Sequence, residues 1–229
     1  MVVTRRLSRV PTKLELEAHL CDLEAREIYK QPAIQRKGNT VDKVPVTEAI
    51  ADILLRKDML SSIQKITREA SYFAGHSKEM AIPHSNRKEE ILAIELYKTC
   101  SFVVDYQVPL KSKQTDIAGK IDLLLQKDDA LVLGELKAEK SEESLLRAVL
   151  EVETYWRILD KDKLLKDFAR QGIQAAAVKK AIIIFRESRQ AREFENPVFS
   201  SVVALMKLYG IKVICADDLK EMSALSFGM

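Results

Sequence analysis

The chain has 229 residues, of which 47% are hydrophobic and 31% are charged, so it can bury a core and is not a largely disordered protein. Its 37 Lys and Arg against 34 Asp and Glu give a net charge of +3, which excludes a polyanion binder that works through overall charge alone. Three scattered cysteines, no apolar run of about 18 residues and no signal-peptide stretch predict a cytoplasmic protein without membrane contact.

Residues 1–84 are predicted to form a helical N-terminal extension. A basic arm over 5–13 comes first. Apolar residues then recur with helical spacing over 13–30, 47–57 and 60–70, and no strand pattern interrupts them. We expect this extension to bind DNA or a partner, or to form a dimer.

Residues 85–229 are predicted to form a single α/β domain. Helical and strand-like apolar patterns alternate along it. The predicted elements are a helix over 86–98, strands over 102–110, 117–125 and 130–138, a helix over 141–159, a strand over 181–185, a helix from Asn196-Pro197 to Gly210, and a strand over 211–215. This order predicts a mixed sheet with helices on its faces.

The predicted hairpin within residues 119–140 brings two acids and a lysine together. A turn centred on Asp128-Asp129 places residue 127 opposite 130 and, further along, Asp122 opposite Glu135. Their Cβ atoms would lie about 5 Å apart on the same face of the sheet. Lys137 shares that face because side chains alternate along a strand. The residues around them are otherwise apolar.

Opposed carboxylates in an apolar setting destabilise a sheet unless something neutralises them. Mg²⁺ would do so, because it binds one or two carboxylates together with water and substrate phosphate. Such an ion, or Mn²⁺ in its place, polarises a phosphodiester and activates a bound water. The alternative interpretation is an ion pair between Lys137 and one of the two acids at a solvated edge of the sheet.

Asp122, followed after twelve residues by Glu135-Leu136-Lys137, resembles the motif of the PD-(D/E)XK nuclease superfamily. The order of elements over 85–229 is similar to the restriction-endonuclease-like core of that superfamily. One departure is Ile121, which stands where the signature has Pro. The resemblance implies a restriction-endonuclease-like mixed sheet flanked by helices and a metal-dependent hydrolysis of phosphodiester bonds.

The resemblance also implies the roles of individual residues. Asp122, Glu135 and the backbone carbonyl of Leu136 would bind Mg²⁺, and Lys137 would be the catalytic lysine. Members often carry a Glu on the helix before the first strand. Glu89 and Glu90 both qualify, and helical spacing favours Glu89, although two solvated acids in a first helical turn explain the pattern as well.

A further acidic position is implied on the helix after the Glu135 strand. Glu151, with Tyr155 one turn later, fits the spacing that members of the superfamily show. Glu153 is a rival on the same helix, and an ordinary amphipathic helix would also account for these residues.

These observations predict a nuclease that acts on DNA, with RNA, endonuclease or exonuclease action and a homodimer left open. The alternative is a non-catalytic module that keeps the fold and binds nucleic acid or a protein. Phosphate contacts are expected from cationic positions. The candidates are Lys111, Lys113, Lys120, Arg186, the basic arm, and the segment 161–180, whose six basic and two acidic residues give a local charge of +4.

Overall fold

The structure is a computed structural model and describes residues 12–35, 40–79, 87–110 and 119–219. Most of the basic arm, Lys111, Lys113 and the predicted helix cap at 85–86 lie outside these ranges. The α-helices are Lys13–Cys21 (α1), Pro32–Gln35 (α2), Val46–Arg56 (α3), Lys88–Thr99 (α4), Leu145–Ile158 (α5), Lys161–Ala169 (α6), Arg189–Glu195 (α7), Ser200–Leu208 (α8) and Ala216–Leu219 (α9). Short 3₁₀ helices cover Ala25–Lys30, Met59–Ser62 and Pro197–Phe199.

Five strands form the main sheet, and two short ones form a separate hairpin. The strands are Thr40–Val41 (β1), Val44–Pro45 (β2), Val103–Pro109 (β3), Lys120–Lys127 (β4), Ala130–Leu136 (β5), Ala177–Ile184 (β6) and Ile211–Cys215 (β7). The main sheet has the order β3-β4-β5-β6-β7, with β3, β4 and β5 antiparallel and β5, β6 and β7 parallel. The predicted α/β class, a mixed sheet flanked by helices, is confirmed.

Both faces of the sheet are covered, which is why its central strand is buried throughout. Every residue of β5 is buried. One core cluster joins α4 to the sheet, and a second, larger one joins α5, α6 and α8 to the other face. Helices on both faces of a partly parallel sheet leave continuous apolar runs along its strands. In the part of the chain that the structure describes, no helix is long and apolar enough to cross a membrane.

The N-terminal helices pack on α5 rather than standing apart from the sheet. Leu20 and Ile50 belong to the same core cluster as the buried face of α5. Two hydrogen bonds reinforce the packing: Arg147 Nη1 donates to the Tyr29 carbonyl at 2.9 Å, and the Ser144 hydroxyl donates to the Ile34 carbonyl. The core is therefore continuous between the two predicted parts of the chain, and the division after residue 84 stays a prediction.

The N-terminal third differs from its predicted helices in two places. The helix predicted over 13–30 is broken, because α1 ends at Cys21 and a 3₁₀ helix follows. The helix predicted over 60–70 is wrong beyond Ser62. Ile66 instead pairs with the end of α5 and donates its N–H to the Ile158 carbonyl at 2.7 Å. This tertiary hydrogen bond overrides the local helical spacing.

The hairpin β1–β2 and the helices α5, α6 and α7 also differ from the predicted elements. The hairpin β1–β2 turns at Asp42 and Lys43, both with positive φ, the backbone that a tight two-residue hairpin turn requires. Helices α6 and α7 were not predicted. Helix α5 begins after Ser144, whose hydroxyl caps it by accepting the Arg147 N–H, and not after Ser141.

Candidate metal centre

The predicted hairpin register is confirmed over the ladder between β4 and β5. Lys127 pairs with Ala130, and the ladder continues to Leu123 opposite Gly134. Asp122 and Glu135 follow directly in sequence after this last pair, so their predicted pairing lies just beyond the ladder. Asp122 Oδ2 accepts the Leu136 N–H at 3.0 Å, and Asp122 Oδ1 accepts Gln107 Nε2 of β3 at 3.0 Å. The Asp122 carboxylate is thus held by both neighbouring strands.

Lys137 lies in a cage of three carboxylates. Its Nζ is 2.7 Å from Glu135 Oε1, 2.7 Å from Glu143 Oε2 and 3.4 Å from Glu151 Oε2. The side chains of Lys137 and Glu135 are each only 4% exposed. Burial of this many charges at one point is costly unless they are paired. The four side chains therefore form one electrostatic unit.

Glu143 was missed from the sequence, although it contacts Lys137 as closely as Glu135 does. It lies in the loop between β5 and α5, where neither strand nor helix periodicity specifies which way a side chain points. Its Oε2 atom is buried and has no hydrogen-bond partner among the described residues, despite the ion-pair distance to Lys137.

The pKa values of Glu135 in this unit and of Asp122 beside it are strongly shifted. Burial raises the pKa of Asp122 to about 7, against the opposing effect of Lys137 and the Leu136 N–H. Burial, with the Glu151 carboxylate beside it, also raises the pKa of Glu135 well above its ordinary value. The two predicted metal ligands therefore hold a proton more strongly than an ordinary carboxyl group does.

Glu151 behaves in the opposite way. Burial would raise its pKa, but Lys137 and Arg147 outweigh burial and lower the pKa to about 2. Burial likewise opposes the charged form of Lys137, yet the carboxylates of Glu135 and Glu151 raise its pKa well above the ordinary value. Lys137 and Glu151 are therefore both ionised at neutral pH.

Glu151 is anchored on α5 by several contacts. Arg147 Nε donates to it at 3.0 Å and Tyr155 Oη at 2.9 Å. The Tyr155 hydroxyl lies so close to Gly119 that a Cβ at that position would clash with it. Glu153, the rival position, is directed elsewhere and pairs with Arg157 at 2.6 Å and with Lys180.

Beside this unit lies an open cavity of about 400 Å³. Asp122 and Glu89 line it, together with Glu90, Gln107 and cations at its rim. Glu89 Oε1 accepts the Ala138 N–H at 3.3 Å, just beyond Lys137. Glu90 instead lies 3.8 Å from Arg87 of its own helical turn. The structure thus brings Glu89, Asp122, Glu135, Leu136, Lys137 and Glu151 to one end of the sheet.

The negative charge of the carboxylates at this site suits a hard divalent cation. The carboxylates around the cavity and the cage outnumber the cations that face them. The carboxylates are Glu89, Glu90, Asp122, Glu135, Glu143 and Glu151, and the cations are Lys137 and Arg147 together with Arg87, Lys88 and Lys140 of the cavity lining. Asp122, whose pKa is raised mainly by burial, lies in the lining of the cavity, from which a cation would reach its carboxylate. Mg²⁺ and Mn²⁺ prefer oxygen ligands of this kind.

The side chains that could bind the cation directly are few. Across residues 12–35, 40–79, 87–110 and 119–219, no group of three or more His, Cys, Asp or Glu side chains is arranged to hold a metal ion. Asp122, Glu135 and the Leu136 carbonyl would supply only two side-chain ligands. Such a site suits Mg²⁺, which keeps several waters and completes its shell with substrate phosphate.

Several of the predicted phosphate contacts are engaged within the protein. In the segment 161–180, Lys163 and Arg170 pair with Asp167 at 2.7 and 3.3 Å. Lys180 pairs with Glu153, and Lys161 lies 3.9 Å from the centre of the Trp156 ring. Within this segment Lys166, Arg170 and Lys179 are nevertheless exposed, as is Lys120.

Comparison of the chain with protein-family models, with curated proteins and with solved structures finds no match. The resemblance to the PD-(D/E)XK superfamily therefore stays a prediction.

Proposed function

We propose that the protein is a divalent-metal-dependent nuclease of the PD-(D/E)XK type, with a restriction-endonuclease-like fold, that hydrolyses phosphodiester bonds in DNA. One observation carries the proposal. Asp122, Glu135, Lys137 and Glu151 converge at one end of a mixed sheet, beside an open cavity. A cluster with pKa values shifted in opposite directions inside a fold is typical of functional sites.

Each residue has a distinct task in this mechanism. Asp122, Glu135 and the Leu136 carbonyl would hold Mg²⁺, which polarises the phosphodiester and lowers the pKa of a bound water. Lys137 is protonated at neutral pH, so it would supply positive charge to the reacting phosphate and would not act as a base. To donate a hydrogen bond to the phosphate or water, its ammonium would exchange one of the three carboxylates that surround it. Glu151 fixes the Lys137 ammonium, because Arg147 and Tyr155 in turn hold Glu151 in place.

The proposal is tested by incubating the purified protein with single-stranded, duplex and branched DNA, and with RNA, in Mg²⁺, Mn²⁺ or Ca²⁺. We expect cleavage of DNA in Mg²⁺ and Mn²⁺ and binding without cleavage in Ca²⁺. Isothermal calorimetry should show Mn²⁺ binding that Asp122→Ala weakens strongly. No cleavage in any metal, together with equal Mn²⁺ binding by the two proteins, would refute the proposal.

The non-catalytic alternative is favoured by one contact. Lys137 already neutralises Glu135 at 2.7 Å, so a metal-free module could keep this ion pair as a structural feature. Such a module would bind nucleic acid or protein with no dependence on Mn²⁺. The same calorimetric comparison therefore separates the two functions.

A prediction about substrate binding follows from two exposed lysines, Lys88 and Lys140, at the cavity rim. If they contact phosphates, the double change Lys88→Gln and Lys140→Gln should weaken DNA binding in Ca²⁺. The slope of log affinity against log salt should fall by about two on duplex DNA. Fluorescence anisotropy over a salt series measures both quantities.

The matched control for this pair is Lys207→Gln with Lys212→Gln. Both lysines are exposed and lie on α8 and β7, outside the cavity lining. An equal loss of affinity in the two double variants would show that the lysines at the cavity rim contribute no more to DNA binding than other exposed lysines.

A further inference from the structure

The side-chain alternation of two neighbouring strands breaks at the same point. On β3, Tyr106 packs in the core cluster with α4, whereas Val108 packs in the cluster with α5. Their partners on β4, Leu123 and Ile121, are divided between the clusters in the same way. Residues two apart on a regular strand face the same side. Both strands therefore turn over between these two pairs.

Gln107 is the β3 residue at this point, and its backbone is unusual. Its φ is +47°, in the left-handed region that residues other than Gly, Asn and Asp seldom adopt. Strain of this kind persists only where the surroundings enforce it, and it concentrates at functional sites. Asp122 is the β4 residue between Ile121 and Leu123, which pair with Val108 and Tyr106 on either side of Gln107.

The Gln107 side chain forms a hydrogen bond with Asp122. Its amide nitrogen donates to Asp122 Oδ1 at 3.0 Å, while the Leu136 N–H donates to Oδ2 at 3.0 Å. Each oxygen of the carboxylate therefore has one fixed neutral donor. Two such donors favour the ionised carboxylate against burial, prevent its rotation, and leave a further lone pair on each oxygen.

We propose that Gln107 is a positioning residue, which orients the Asp122 carboxylate for a divalent cation. The strained backbone of β3 at Gln107 then has the role of directing this side chain to the metal centre, and it is not needed for the pairing of the sheet. This inference rests on the proposed metal site, to which it adds a residue on a third strand. Partners that orient a ligating carboxylate in this way typically change metal affinity by about 10–100-fold when removed.

Two variants separate a positioning role from a structural one. Gln107→Leu removes the donor and keeps most of the volume. Gln107→Asn keeps an amide and suits the left-handed backbone, but its side chain is one methylene too short for the same hydrogen bond. We expect both to bind Mn²⁺ about 10–100-fold more weakly by calorimetry. In EDTA, the melting temperature of the Asn variant should equal or exceed that of the wild type.

The control is Gln126→Leu. Gln126 lies on β4 and donates to the Gln174 carbonyl at 3.1 Å, away from the cavity, so its loss should leave Mn²⁺ affinity unchanged. Wild-type affinity in Gln107→Asn and Gln107→Leu would overturn the positioning role alone. Absence of Mn²⁺ binding by the wild type would overturn the proposed metal centre and this inference with it.

Discussion

Lys137→Met should slow cleavage about 100- to 1,000-fold and lower stability, and the loss of stability should be greater at pH 8 than at pH 5. Removing the ammonium leaves Glu135, Glu143 and Glu151 facing one another in a buried site. Breaking a buried ion pair from one side costs about 3–5 kcal/mol. At lower pH the carboxylates can protonate and relieve part of this cost, which sets the direction of the pH effect.

The effect on activity should be separable from the effect on folding. Losing one fixed donor to a developing charge costs about 100- to 1,000-fold in rate. Cleavage assays in Mn²⁺ at a temperature where the variant is folded, with DNA binding measured in Ca²⁺, report the two effects independently. Lys212→Met is the control, since Lys212 is an exposed lysine on β7 outside the cavity lining. Wild-type cleavage by folded Lys137→Met would show that Lys137 has no catalytic part.

Asp122→Asn should stabilise the metal-free protein at pH 8. Burial raises the pKa of Asp122 from 3.8 in its ordinary state to about 7 in the folded protein. Below about pH 4 the carboxyl is protonated in both states. Between pH 4 and pH 7 the folded state retains a proton that the unfolded state has lost, so this contribution to stability declines as pH rises, by about 4 kcal/mol in total.

The amide of the variant stays neutral, so this decline should disappear. Gln107 can turn its own amide to accept from the new Asn donor, which preserves the hydrogen bond between the two strands. Urea denaturation in EDTA from pH 4.5 to 8 should show the wild type losing stability while the variant loses less. Identical pH profiles would mean that Asp122 is ionised in the folded protein well below pH 7.

Adding Mn²⁺ should make the wild type more stable than Asp122→Asn, the reverse of the order expected in EDTA. A ligand that binds only the folded state stabilises it in proportion to the logarithm of its concentration over the dissociation constant. The wild type should gain this stabilisation at pH 8, and Asp122→Asn should gain little. The same change would then raise stability in EDTA and lower it in Mn²⁺, a crossing that a purely structural carboxylate does not produce.

The hairpin could be predicted from the sequence because local rules decide it. Asp128-Asp129 defines the turn, and strand alternation then sets the register of Asp122 and Glu135. The alternation rule fails at Gln107, where a positive φ turns the strand over. No residue type signals that break, since Gln has no special preference for the left-handed region. Glu143 was missed for a related reason, since the direction of a loop side chain depends on tertiary contacts.

The helix expected over 60–70 is a second case in which a tertiary contact overrides a local sequence pattern. Its apolar spacing was helical, but the Ile66 N–H bonds to Ile158 on a distant helix. Helix propensity is a weak preference that one such tertiary contact outweighs. By contrast, α3 and β7 formed close to where they were predicted, because strong local patterns and packing agree there.

The hydrogen bonds that join Tyr29 and Ile34 to α5 have a consequence for how this protein can change over time. Arg147, which bonds to the Tyr29 carbonyl, also holds Glu151. A gene fragment encoding only residues 85–229 would lack the helices that pack on α5. It would also lack the Tyr29 carbonyl, which accepts a hydrogen bond from Arg147. The N-terminal helices are thus poorly suited to exchange between proteins by recombination. Selection acting on them acts also on the geometry around Lys137.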